Sequence, residues 1–176
     1  MNYKRVFIQN SCVHVVIVSY KRHPIFIENI NLLKKSILHS KKYFDYNIIS
    51  ICVLPEHIHM IISPKEIEEY PKIITSIKYY FSRNYNVGLE SPTYGYVNKK
   101  EKGIFQRRYF EHTIVGQEDL ERQINYIHYN PVKHGYAKFV KDWSYSSFLK
   151  FVEQNFYDED WGSAKDVKDI VRLNYE

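Results

Sequence analysis

The segment Leu54-Pro55-Glu56-His57-Ile58-His59-Met60-Ile61-Ile62 sets two imidazoles two residues apart in an apolar run. On a β-strand, alternate side chains share a face, so His57 and His59 point one way and Ile58, Met60 and Ile62 the other. Two neutral imidazoles on one face can hold one divalent transition metal ion. Two ligands do not complete a site, and a third oxygen or nitrogen donor has to come from elsewhere. An isolated His-x-His is more often a pair of packed or exposed sheet histidines. A second segment reads Asn125-Tyr126-Ile127-His128-Tyr129-Asn130-Pro131-Val132-Lys133-His134-Gly135. Tyr126 and Asn130 are four apart and share a helix face. This holds only if the last turn survives Pro131, which biases the residue before it away from helical φ/ψ. A tyrosine hydroxyl can act as a nucleophile. With Leu120, Ile124 and Ile127 nearby, the simpler reading is a core tyrosine followed by an Asn-Pro stop signal. Arg107-Arg108-Tyr109-Phe110 interleaves cations and aromatics. That suits phosphate contacts and base stacking on a single strand. It also suits a solvated strand with aromatics packed at alternate positions.

The elements that must position these groups follow from periodicity. Val13–Tyr20, Tyr46–Leu54, His57–Ser63 and Phe105–Val115 read as strands. Residues 27–42 have helical spacing, with Ile30, Leu33, Ile37 and Leu38 on one side. Residues 71–83 form a second helix, with Pro71 in its first turn and a stripe of Ile73, Ile74, Ile77, Tyr80 and Phe81. Residues 117–130 form a third, with Glu118 and Asp119 where the helix dipole favours acids. Residues 86–103, with Gly, Pro, Ser, Asn and Lys99-Lys100-Glu101-Lys102, read as a mobile loop. The first six elements give a ferredoxin-like βαββαβ pattern, an α+β fold with an antiparallel sheet and two helices on one face. A further helix carries Tyr126. The other sheet face is left for a ligand or for that helix. Residues 1–141 read as the main domain, and 142–176 as a C-terminal extension packed on it.

Length and composition narrow the classes. With 176 residues, one domain with a buried core is expected, needing neither disulfide nor structural metal to fold. Hydrophobic residues at 44% are too many for a disordered chain. A net charge of +5 favours an anionic partner only mildly. There are 17 tyrosines, a count that cannot by itself separate core, stacking and nucleophilic roles. The N-terminus has no signal-peptide run, and the longest apolar stretches are strand-length, so no membrane span is expected. Cys12 and Cys52 sit inside apolar runs and read as buried thiols. A cytoplasmic protein is expected.

Taken in order, Leu-Pro-Glu-His57-Ile-His59, Gln106-Arg107-Arg108-Tyr109-Phe110-Glu111-His112, Tyr126-Ile-x-x-Asn130-Pro-Val-Lys133-His134-Gly and Trp143-Ser144-Tyr145-Ser146-Ser147-Phe148 resemble the motif series of the REP-associated tyrosine transposases. These belong to the HUH single-strand DNA endonuclease and transposase superfamily, close to single-domain insertion-sequence transposases. Val13–Phe26, with Lys21-Arg22, is similar to that family's first strand and loop. The resemblance spans about residues 5 to 162 in the family's order. Glu56 departs from the Asn that usually precedes the first histidine, and Tyr136 from a frequent Leu.

The resemblance implies Tyr126 as the catalytic nucleophile and His57, His59 and Asn130 as ligands of Mg²⁺ or Mn²⁺. Glu56, Glu111 and His112 are accessory donors, the last two rivals of Asn130 for the third position. Lys21, Arg22, Arg107, Arg108, Tyr109, Lys133 and His134 are implied in DNA binding. The implied activity is cleavage and strand transfer of hairpin-bearing single-stranded DNA through a 5′-phosphotyrosine. That linkage stores the bond energy, so no nucleotide cofactor is needed, and no Walker-type glycine loop is present. A monomer is expected, with a dimer the alternative. Two other readings stay open at this stage. One is a metal-dependent phosphodiesterase using water. The other is a non-catalytic nucleic-acid-binding module of the same fold.

Overall fold

The computed structural model describes residues 7–86 and 103–175. Four strands, β1 (Val13–Val18), β2 (Tyr46–Val53), β3 (His57–Pro64) and β4 (Phe110–Thr113), form one sheet in the order β2-β3-β1-β4. Every pairing is antiparallel. With α1 (Ile30–Ser40) and α2 (Tyr70–Asn84) between the strands, this is the expected α+β ferredoxin-like order. The loop expected over 86–103 lies outside the described residues except at its two ends.

Every residue of β1 is buried, which a strand reaches only when both sheet faces are covered. On one face Val13, Val15, Ile17, Ile58, Met60 and Ile62 pack with Leu33 of α1 and with Ile73, Ile74, Ile77 and Phe81 of α2. On the other, Cys52 and Ile61 pack against Ile124 and Ile127 of α3 (Gly116–Lys133). Phe148 and Phe151 of α4 (Phe148–Glu153) join that second core. The third helix therefore covers the face that the pattern left open.

The sequence extension closes the sheet's edge. Tyr145 O accepts from Val53 N at 2.8 Å and Ser147 N donates to Ile51 O at 2.9 Å, so residues 145–147 run beside β2. Trp143 Nε1 donates to Val53 O at 2.9 Å. Covering an edge strand removes a template for pairing with another chain.

Most element ends shift by one to three residues from the periodicity reading, and two differences bear on the site. The fourth strand is only Phe110–Thr113, although Phe105 still bridges Ser19. The third helix runs on through Pro131 to Lys133. Among the described residues no helix is long and apolar enough to cross a membrane.

Candidate active site

Strand register places the histidines. In an antiparallel pair, directly opposed residues share a face. His57 opposes Val18, His59 opposes Val16, and His14 lies between Ile61 on β3 and His112 on β4. His14, His57 and His59 therefore share the α3 face and are fully buried there. The His57 and His59 ring centroids are 4.9 Å apart, and His14 lies 5.4 Å from His59. Glu111 opposes Val15 and so belongs to the α1/α2 face, which removes it as a rival donor. His112 shares the histidine face, but its Nε2 is bound to Asp119 at 2.8 Å and β1 stands between it and His59.

Helix α3 supplies the rest. Tyr126 is 1% exposed, with its ring edge-on to His59 at 5.5 Å. Asn130, one turn later, is still helical and fully buried. Its Nδ2 donates to the Tyr126 carbonyl at 2.8 Å, which turns Oδ1 away as the available acceptor. Among the described residues, the buried side-chain polar atoms that make no hydrogen bond are His57 Nε2, His59 Nε2 and Asn130 Oδ1. Burying such atoms is costly unless something satisfies them, and these belong to the three residues that the motif series implies as metal ligands. An imidazole–imidazole–amide oxygen set suits a divalent ion of intermediate hardness. Among the described residues no three His, Cys, Asp or Glu side chains are grouped so that they could hold a metal by themselves.

The helix end arranges the flank. Tyr136 N donates to Pro131 O at 2.8 Å and Gly135 N to Val132 O at 3.0 Å, with Gly135 at φ +73°. This is a Schellman cap, in which the left-handed glycine reverses the chain. The reversal brings His134 to 5.1 Å from His57. It also brings the Tyr136 hydroxyl to Glu56 Oε2 at 2.9 Å. Glu56 Oε1 in turn accepts from His57 Nδ1 at 3.0 Å. Burial would raise the Glu56 pKa, but the His57 and Tyr136 hydrogen bonds outweigh it and hold the value at about 2. A carboxylate on Nδ1 leaves the lone pair of His57 at Nε2. Burial disfavours the charged form of two imidazoles here, His14 and His59. His14 is lowered to about 4, partly restored by Gln123. His59 is well below its ordinary value, with His14, His57, His134 and Lys133 adding to the effect of burial.

The Tyr126 hydroxyl accepts from Lys133 Nζ at 3.2 Å and from the backbone N of Tyr175 at 3.3 Å. The Tyr175 ring lies 4.8 Å from Tyr126 and 5.1 Å from Phe110, and Lys133 Nζ also donates to Leu173 O at 2.8 Å. The C-terminal segment thus lies over the tyrosine. The Tyr126 hydroxyl is thereby covered by the backbone of Tyr175 and the side chain of Lys133.

The cations expected on DNA differ in their settings. Arg107 and Arg108 are exposed, whereas Tyr109 is half-buried against the α1/α2 core. Lys21 and Arg22 sit on an exposed turn, both with positive φ (52° and 54°), and Arg22 lies 3.8 Å from Glu56. Lys133 is at the tyrosine itself. The sequence reading gave no site role to His14, Gln123, Asp119, Tyr136 or Tyr175. For Gln123 a signal existed, because it precedes Tyr126 by three residues and shares the helix stripe of Tyr126 and Asn130.

Comparison with known proteins gives the family and the fold. The model of the family "Transposase IS200 like" matches residues 7–130. A Haemophilus influenzae protein named as a REP-associated tyrosine transposase is 35% identical over 169 residues, covering 95% of this chain and 96% of that protein. The REP-associated tyrosine transposase of Escherichia coli is 31% identical over 170 residues, covering 96% and 93%. A solved REP-associated tyrosine transposase bound to a REP hairpin superposes with a TM-score of 0.82 at 25% identity, covering 99% of this chain and 96% of that one.

Proposed function

The chain belongs to the IS200-like transposases, and from that premise we propose that it is a divalent-metal-dependent transposase that nicks and rejoins hairpin-bearing single-stranded DNA through Tyr126. The observation that carries this reading is Tyr126 packed edge-on against His59, one helical turn before Asn130. The structural relative bound to a REP hairpin supports a hairpin as the substrate.

His57 Nε2, His59 Nε2 and Asn130 Oδ1 would hold the ion. When bound, Mg²⁺ or Mn²⁺ supplies positive charge that offsets the charge developing on the scissile phosphate. The remaining work falls to the chain. Tyr126 Oη attacks the phosphorus and forms a 5′-phosphotyrosine as the P–O3′ bond breaks. The phenolic proton is balanced by the 3′-hydroxyl that is released. The Lys133 ammonium, at hydrogen-bond distance from Oη, offsets negative charge there before attack. A 3′-hydroxyl attacking the phosphotyrosine reverses the step without added energy. Arg107, Arg108, Lys21 and Arg22 are exposed cations suited to backbone phosphates. Tyr126 lies against His59 of its own chain, and we take the protein to act as a monomer.

The test is incubation with a 5′- and 3′-labelled REP-type hairpin and Mn²⁺ or Mg²⁺, read on denaturing gels. The 5′-phosphate product should migrate as a covalent protein adduct, absent with chelator and absent in Tyr126→Phe. Cleavage with no adduct would point instead to water as the nucleophile.

A further inference from the structure

His14 is a fully buried histidine to which the proposed chemistry gives no part, yet its two ring nitrogens are both engaged. Its Nδ1 lies 2.8 Å from Gln123 Oε1 and its Nε2 lies 3.2 Å from His59 Nδ1. The direction of each bond follows from the group at the far end. Asp119 is a carboxylate and only accepts. Gln123 must therefore turn its amide nitrogen to Asp119, where Nε2 reaches Oδ1 at 3.3 Å, and the same nitrogen donates to the Tyr175 hydroxyl at 3.1 Å. Asp119 is itself fixed by the Val115 backbone N–H at 3.0 Å and by His112 at 2.8 Å.

With the amide so oriented, Gln123 Oε1 accepts from His14 Nδ1–H. A neutral imidazole protonated at Nδ1 has its lone pair at Nε2. His14 Nε2 then accepts from His59 Nδ1–H, and the lone pair of His59 lies at Nε2. We propose that Asp119, Gln123 and His14 form a positioning relay that fixes His59 as the Nδ1–H tautomer and so presents its Nε2 as a ligand. His57 reaches the same state by a shorter route, through the Glu56 carboxylate. The two histidines are set from opposite sides, one by an acid beside it in sequence and one by a helix three elements away. The role assigned to Nε2 rests on the proposed metal site, whereas the tautomer does not.

The experiment uses the full chain. Long-range ¹H–¹⁵N spectra of the metal-free protein read the tautomer of each buried histidine, and calorimetric titration with MnCl₂ reads the affinity. His59 should be protonated at Nδ1. His14→Phe keeps the ring's bulk but cannot accept, and should weaken Mn²⁺ binding by about 10- to 100-fold, the range typical of lost partners behind metal ligands. His14→Gln restores a donor toward Gln123 and an acceptor toward His59, and should recover most of that loss. Gln123→Met leaves every histidine in place and should mix the His59 tautomers. A wild-type His59 protonated at Nε2 overturns the relay, needing no variant to fold. Unchanged Mn²⁺ affinity in a folded His14→Phe overturns it as well. A correct tautomer in a wild-type protein that binds no Mn²⁺ supports the relay and defeats the metal reading instead.

Discussion

Tyr126 is one of 17 tyrosines, and its surroundings set it apart. Its hydroxyl is held by a lysine and a backbone amide, and its ring touches a buried histidine. Tyr157 is also buried, but burial raises its phenol far from ionisation and it donates to Asn125 at 2.6 Å. At residue scale the two should separate: Tyr126→Phe abolishes the DNA adduct, while Tyr157→Phe lowers stability by about 1 kcal/mol, the ordinary worth of a hydrogen bond, and leaves the adduct. Gel assay and denaturant melts check both. Spacing made it legible that His57 shares a face with His59 and Tyr126 with Asn130, but only the resemblance to the transposase motif series lifted the four above packed residues. The sequence hid His14, because a single histidine inside Val13–Val18 says nothing until the β1–β3 register is known. Tyr175 was hidden for a similar reason, since it approaches the site from 49 residues away.

At the scale of elements, α3 carries most of the design. Its length was the least legible feature. Pro131 predicts an end at Asn130, yet the helix continues for three more residues. A proline removes one backbone donor but does not forbid the turn, and the Schellman cap at Gly135 closes the helix instead. No atom lies near a Cβ added at Gly135, so the cost of Gly135→Ala is conformational, about 1–2 kcal/mol for the left-handed backbone. Urea unfolding measures it. The variant should also weaken the Tyr136–Glu56 contact, because the cap sets that geometry. The segment over the tyrosine makes a second prediction. Ending the chain after Arg172 removes Leu173 O and Tyr175 N from Lys133 and Tyr126. The adduct should then form faster, and Tyr126 should become reachable by tetranitromethane. An unchanged rate would mean that DNA displaces the segment at no cost.

For the whole molecule, the ordered βαββαβ pattern was legible because strand and helix periods differ so plainly. How the last 35 residues pack was not, since their contacts are with distant β2 and α3. His128 ties them together. Its Nε2 lies 2.9 Å from Ser147 Oγ and 3.1 Å from Ser50 Oγ, and its Nδ1 lies 3.2 Å from the Tyr157 hydroxyl. Burial lowers its pKa to about 3. The unfolded chain takes up a proton near pH 6.5 that the folded chain refuses, so stability should fall as pH drops from about 6.5 toward 3. Thermal melts across that window should show a shallower fall in His128→Gln. Charge acts at the same scale. Arg107→Ala with Arg108→Ala should weaken hairpin binding and flatten its dependence on salt by about one to two phosphate contacts, read by fluorescence anisotropy across salt concentrations. The +5 charge is too small to have singled out DNA without the motif order.

The central claim is a covalent bond between Tyr126 and DNA. Peptide mass spectrometry after reaction with a hairpin substrate and Mn²⁺, followed by nuclease digestion, tests it most directly. A nucleotide remnant on the peptide carrying Tyr126 is the result predicted. Cleaved DNA with Tyr126 unmodified, or a remnant on another tyrosine, would contradict it.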